Sequence, residues 1–207
     1  MASFPEPPGR AALQAVGAEL RFMSAGRLLW RVYFRAGAHP TTWNRLRAFG
    51  PTQARFDHHT RPRRAQRRAV TYLAASGVTC LAEVFQQTRV IDRIRHTPYL
   101  VGFELGRQVA LLDLTAGWPT RAGASMALCA GSPARARRWA RAIYRTWPQV
   151  EGLYCGSAMH AKAPAIALWQ RATDALPAVP VFHRALSDPA LLTPLRNAAR
   201  ELNYGLV

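Results

Sequence analysis

The stretch "VTYLAASGVTCLAEVFQQT" (70–88) decides the fold class. Its first half belongs to "AVTYLAA" (69–75), a mix of β-branched, aromatic and small apolar residues that reads as a strand. Gly77 breaks that run. Val78, Leu81 and Phe85 then recur at helical spacing, so 78–88 reads as a helix. A strand running straight into a helix points to a mixed domain. Glu83 lies off the stripe of Val78, Leu81 and Phe85, so it faces either solvent or a cleft. It is also scarce: the chain holds 11 acidic residues against 28 basic ones.

Outward from this stretch, the strand signals are "RLLWRVYF" (27–34), "YLVGFEL" (99–105), "QVALLDL" (108–114), "QVEGLYCGS" (149–157) and "APAIALWQR" (163–171). A Gly-Arg turn joins the second and third. Helical spacing marks "AALQAVGAELRFM" (11–23), "SPARARRWARAIYRTW" (132–147) and "DPALLTPLRNAARELN" (188–203). Ser132 is placed to cap the second of these helices, with Pro133 in its first turn. Asp188 and Pro189 open the third, and Pro194 is expected to disturb its first turns. Residues 36–68 read as irregular. A connection of that length in a small domain usually carries function. The expected fold class is α+β, less regular than a doubly wound sheet. Residues 1–26 would form a helical extension, 27–186 the main domain, and 187–207 a helix packed on it.

With 207 residues, 49% of them hydrophobic, the chain is long enough for one domain with a full core. No apolar run reaches the roughly 18 residues that span a bilayer, and "MASFPEPPGR" has no signal-peptide pattern. Cys80, Cys129 and Cys155 fit neither a disulfide framework nor a metal spacing, so a reducing cytoplasm is expected. The net charge of +17 comes from arginine; Lys162 is the sole lysine. Such a field draws anions, whether nucleic acid, nucleotides, phosphate or an acidic partner. Arg137, Arg138, Arg141 and Arg145 share one helical face, with Trp139 and Ile143 on another.

Several chemistries are excluded. There is no GxxxxGK[ST], no GxGxxG after a strand, no HExxH and no CxxC. Adjacent His58 and His59 suit a single metal ion poorly and read as a solvated or phosphate-facing pair. Ser157 in "YCGSAM" lacks the nucleophile elbow.

Five residues remain: Arg31 in the apolar "LLWRVYF", Arg55 beside Phe56 in "ARFDHH", Tyr72 and Glu83, and Ser157 at the end of "GLYCGS". Singly, each has a plain structural reading: a snorkelling arginine, a loop arginine, a core aromatic, a solvated helix carboxylate and a strand end. Their order and spacing together resemble the RES domain family, named for its Arg, Glu and Ser residues. The likeness covers about residues 27–185. Two departures stand out. Ala54-Arg55 replaces the usual Gly-Arg, and Tyr154-Cys155-Gly156-Ser157 replaces the usual Tyr-Pro-Ser.

The resemblance implies an ADP-ribosyltransferase-like fold with a central mixed or antiparallel split sheet flanked by helices. It implies a toxin of a toxin–antitoxin module that cleaves the nicotinamide–ribose bond of NAD+, with inorganic phosphate as acceptor. Protein ADP-ribosylation is the alternative within the same chemistry. On this reading Arg31 and Arg55 grip the pyrophosphate with planar guanidinium forks. Tyr72 stacks on nicotinamide or ribose. Glu83 stabilises the cationic sugar, and Ser157 orients the substrate. The catalytic set is Glu83, Arg31 and Ser157; the substrate-binding set is Arg55, Tyr72 and His58. Arg61, Arg63, Arg64, His58 and His59 are on hand for the acceptor phosphate. NAD+ is the substrate, and no resident cofactor or metal is expected. The implied partner is a cognate Xre-like antitoxin covering the site, so that nucleic acid is reached only through it. No membrane is involved, and a homo-oligomer is compatible with the sequence. From a different class, "HHTRPRRAQRR" (58–68) also suits a non-catalytic nucleic-acid-binding module.

Overall fold

The computed structural model describes residues 4–160 and 163–207; Lys162 lies outside the described residues. In chain order the elements begin with α1 (Arg10–Val16), β1 (Leu20–Met23), β2 (Leu28–Phe34), β3 (Arg47–Gly50), β4 (Arg64–Ala74) and α2 (Gly77–Val84). Next come β5 (Val90–Ile91), β6 (Pro98–Glu104), β7 (Val109–Asp113), α3 (Trp118–Arg121), α4 (Ala127–Ala130) and α5 (Pro133–Thr146). The chain ends with β8 (Gly152–Gly156), β9 (Pro164–Trp169), β10 (Phe182–Ala185), α6 (Leu192–Leu202) and β11 (Gly205–Leu206).

Among the described residues, nine strands form one mixed sheet in the order β1-β7-β8-β9-β4-β2-β6-β10, with β3 on β4. The β7–β8 pair is parallel and the other pairs of this sheet are antiparallel. The sheet forks between β4 and β2. They share one registered pair, Trp30 with Ala74, whereas lower down β4 pairs with β3 from Val70 to Arg64.

Side-chain alternation sorts the core. Val70, Leu153, Cys155, Ala167 and Trp169 face α5 and its neighbours, where Trp118 and Trp139 are also fully buried. Val32, Ala74 and Leu100 face α2 and α6. Leu29, Tyr33, Leu73, Phe103 and Leu168 line the opposite side of the sheet, under Trp43 and the 170–175 turn. Each large apolar side chain so buried stabilises the fold by about 1.5–3 kcal/mol. One sheet face thus carries two separate helical packs, with the middle of β4 between them.

Several expectations change. Residues 20–23 are a strand rather than the end of a helix. Gly17, at φ +75°, stops α1, and backbone pairing of β1 with β7 then outweighs local helical spacing. The N-terminal segment therefore adds an edge strand to the sheet. The supposedly irregular 36–68 stretch contains β3 and the first half of β4, whose exposed Arg-rich end is held by ladder bonds rather than by apolar pattern. Strands β6 and β7 follow one another in sequence but are not neighbours in the sheet. Ser132 makes no side-chain cap. Asp188 does cap, accepting from Ala190 N at 2.9 Å, and a 3-10 turn (Pro189–Leu191) precedes α6. Pro194 then falls in the first turn of α6, where its missing N–H leaves no bond unmade. No helix among the described residues is long and apolar enough to cross a membrane.

Candidate active site

The break before α2 is set by Ser76. Its Oγ accepts from Thr79 N at 3.2 Å, and Gly77 is simply the first helical residue. Thr79 and Glu83 then lie four residues apart, so they share one helix face. Cys80, Leu81 and Phe85 on the other side anchor α2 in the core. Both polar residues meet the turn after β8. Ser157 Oγ donates to Glu83 Oε1 at 2.5 Å. His160 Nδ1 bonds Thr79 Oγ1 at 2.9 Å, and His160 Nε2 meets Glu201 Oε1 at 3.0 Å. Ser157 Oγ also accepts from the backbone N of Met159 and His160, at 3.1 and 3.0 Å. The hydroxyl thus shapes its own turn while fixing the carboxylate. Ser157 is buried and Glu83 half-buried.

β8 carries Cys155 into the core and ends at Gly156, so Ser157 stands just past the strand end. Gly152 lets β8 fit: a Cβ there would lie 2.5 Å from Ala167 O.

Arg55 comes to the same place from the 51–57 loop. Its Nη1 donates to Gly131 O. Burial lowers its pKa, while Cys129, Glu83 and Cys155 act in the opposite direction. Tyr72 lies in the gap between the helical packs. It is 38% exposed although it sits mid-strand between buried Thr71 and Leu73. Burial nevertheless raises the phenol's pKa, despite the nearby Arg47 guanidinium.

Arg31 is placed differently. With Leu29 and Tyr33 it projects from the opposite face of β2 to Trp30 and Val32, at the fork of the sheet. Its Nη1 donates to the carbonyls of Trp43 (2.5 Å), Arg45 (3.0 Å) and Thr42 (3.3 Å). Burial pushes its pKa down to about 10, so it stays cationic at neutral pH. Its electrostatic neighbours are Tyr33 and Cys80 rather than Glu83. Among the described residues Glu83 forms no ion pair, so the expected Arg-lined surround reduces to Arg55 on one side.

His58 and His59 are corrected outright: both are fully buried. His58 packs against Tyr144 and Trp169 with ring centroids 4.5 and 5.0 Å away, and its Nε2 lies 3.2 Å from Gln170 Oε1. Burial pushes its pKa down to about 3, so it is neutral. His59 binds Asp57, which Arg47 also contacts at 3.0 Å. The pair is packed in the core rather than solvated on a loop. Conversely, Thr79, His160 and Glu201 join the site without belonging to the Arg, Tyr, Glu and Ser pattern of the sequence. Ser76 just ahead of the apolar helical run is an N-cap signal that places Thr79 in the first turn; nothing local marks His160 or Glu201. Among the described residues, no group of three His, Cys, Asp or Glu side chains is arranged to hold a metal ion.

Comparison with known proteins gives three results. Residues 28–190 match the RES domain family. No curated protein matches the sequence. The fold is similar to a chain of the crystal structure of the M. tuberculosis MbcT–MbcA toxin–antitoxin complex, with TM-score 0.56 and 16% identity over 91% of this chain and 96% of that one. As the family match spans most of the sequence and includes Arg31, Arg55, Tyr72, Glu83 and Ser157, this chain belongs to the RES domain family.

Proposed function

We propose that this chain is the toxin of a toxin–antitoxin module and that it cleaves the nicotinamide–ribose bond of NAD+, passing ADP-ribose to inorganic phosphate. Family membership and the likeness to a chain of a toxin–antitoxin complex support the first part. The observation that carries the second is the Glu83–Ser157 hydrogen bond beside Arg55 and the open Tyr72 ring.

The chemistry follows from that arrangement. Nicotinamide leaves with the bonding electron pair. The pyridinium becomes neutral, so no general acid is required. Positive charge develops at the ribose C1″, and a fixed carboxylate nearby stabilises it. Ser157 holds Oε1, leaving Oε2 for the sugar; among the described residues Oε2 has no hydrogen bond. A phosphate oxygen lone pair then bonds C1″ and gives ADP-ribose-1″-phosphate. Tyr72 provides a face for stacking. Arg55 provides donors for the pyrophosphate. A protein that consumes NAD+ requires restraint, which an Xre-like antitoxin seated over this basic cleft would supply.

The test incubates the purified chain with NAD+, with and without phosphate, and separates the products. ADP-ribose-1″-phosphate formed only with phosphate supports the proposal. Labelled protein identifies an ADP-ribosyltransferase instead. Intact NAD+ together with steeply salt-dependent nucleic-acid binding would refute any catalytic reading.

A further inference from the structure

A second basic feature lies away from Glu83 and Ser157. The 51–53 loop and the first turns of α5 enclose a hollow of about 340 Å³. Arg61, Arg63, Arg137, Arg138 and Arg141 line it, whereas Arg31, Arg55, Tyr72, Glu83 and Ser157 do not. One of the five has a carboxylate: Glu6 takes Arg138 Nε and Nη2, each at 2.6 Å. The other four form no ion pair among the described residues. At Arg141, burial and then the charges of Arg137, Arg138, Arg145 and Arg68 lower the pKa. Cations converging on one hollow repel each other, and a bound polyanion relieves that repulsion.

The walls are fixed before any ligand arrives. Thr52 donates its backbone N and its Oγ1 to Asp57 Oδ2, at 2.7 and 2.8 Å. Asp57 is fully buried, with His59 and Arg47 on it. Arg137 Nη1 donates to Gln53 O at 2.9 Å, which ties α5 to the loop. Arg63 lies over the Phe49 ring, 5.0 Å from its centroid. Two of the four free cations are therefore already ordered, which lowers the entropy cost of binding.

We propose that this hollow binds a small oligophosphate, meaning a ligand with at least two linked phosphate groups. Inorganic polyphosphate and the tail of a nucleoside di- or triphosphate share this chemistry. Guanidinium forks match phosphate oxygens. A single orthophosphate would leave cations unmatched, and a concave site of this size admits a small ligand better than a duplex. The 51–57 loop that walls the hollow also carries Arg55, so occupancy would stiffen one side of the cleft. The inference does not depend on NAD+ chemistry.

The test titrates the full chain calorimetrically with tripolyphosphate, orthophosphate and ATP at about 50 and 200 mM salt. Tripolyphosphate is expected to bind at least about tenfold tighter than orthophosphate and to weaken as salt rises. ATP binding tighter than tripolyphosphate identifies a nucleotide as the source; equal affinity identifies the free polyphosphate. Arg137→Ala with Arg141→Ala should weaken binding about tenfold or more, at the scale of one charge-assisted hydrogen bond. Because Arg137 also braces the loop, Arg61→Ala with Arg63→Ala is the second variant, with the same loss expected at an unchanged melting temperature. Undiminished affinity in both pairs overturns the proposal, as does competition by NAD+.

Discussion

Ser157 Oγ and Glu83 Oε1 meet at 2.5 Å although 74 positions separate them in the chain. The contact joins the end of β8 to the face of α2, and the Thr79–His160 bond clasps the same two elements one helical turn away. On the proposed chemistry, a carboxylate fixed by Ser157 on a helix so clasped would need no reorganisation at the moment of bond breaking.

Replacing Glu83 with Gln keeps the shape and removes the charge. NAD+ consumption should fall by about 10²–10³-fold, the usual scale for one electrostatic group aimed at a transition state. The melting temperature should hardly move, because Glu83 has no ion pair among the described residues. Wild-type turnover in this variant would refute the assignment.

Ser157→Ala removes a donor to Glu83 and an acceptor for two backbone N–H groups. A stability loss of about 1–3 kcal/mol is expected from the unsatisfied buried groups. Turnover should fall more steeply than stability. Ser157→Thr keeps the hydroxyl and should recover part of both. Denaturant titration and NAD+ assays on the same preparations separate the two effects.

Tyr72 is expected to act through its ring. Tyr72→Phe should leave the KM for NAD+ nearly unchanged, whereas Tyr72→Ala should raise it roughly three- to tenfold, the scale of one aromatic contact. Burial raises the phenol's pKa, so no activity loss near pH 10 should trace to this group. An alkaline limb that vanishes in Tyr72→Phe would contradict both points.

His58 links stability to pH. Its folded pKa of about 3 lies below the ordinary 6.5, so the unfolded chain binds the proton more readily. Stability is therefore full above pH 6.5 and is lost as pH falls toward 3. Asp57, also held below its usual value, adds to the loss only below about pH 4. Melting curves between pH 7 and 4 should show a shallower decline in His58→Phe, which keeps the stack on Tyr144 and Trp169. An identical slope would mean that His58 is already solvated in the native protein.

Gly152→Ala tests the seat of β8. The added methyl would lie 2.5 Å from Ala167 O and 2.9 Å from Leu111 Cδ2. Overpacking of about 2 kcal/mol is expected, which for a chain of this size lowers the melting temperature by about 4–8 °C. Turnover should drop as well, because β8 positions Ser157. A fully stable, fully active variant would show that β8 has slack.

The strand-to-helix reading of 70–88 needed nothing beyond local chemistry: β-branched and aromatic residues, then apolar spacing at helical period, with a polar break between them; the helix itself stops at Val84 rather than running to 88. The same holds for the helix at 132–147, whose Trp139 and Ile143 are fully buried. The strand at 20–23 and the Arg-rich start of β4 were hidden because their state is fixed by a pairing partner elsewhere in the chain, not by their own pattern. His58 and His59 misled for a related reason. An Arg- and Pro-rich setting looks solvated, yet Gln170, Asp57, Tyr144 and Trp169 surround them.

By itself, the amino-acid sequence determined that this is an α+β domain and supplied Glu83, Ser157, Arg55 and Tyr72 in an order that marks the family. Only the tertiary structure decided their company. It put Ser157 on Glu83, Arg55 beside them, Arg31 on the far side of β2 and His160 behind the serine. Hydrogen bonds across 74 or 81 positions depend on how separate strands and helices close on one another. That closure minimises the free energy of the whole chain, and no short stretch of residues encodes it.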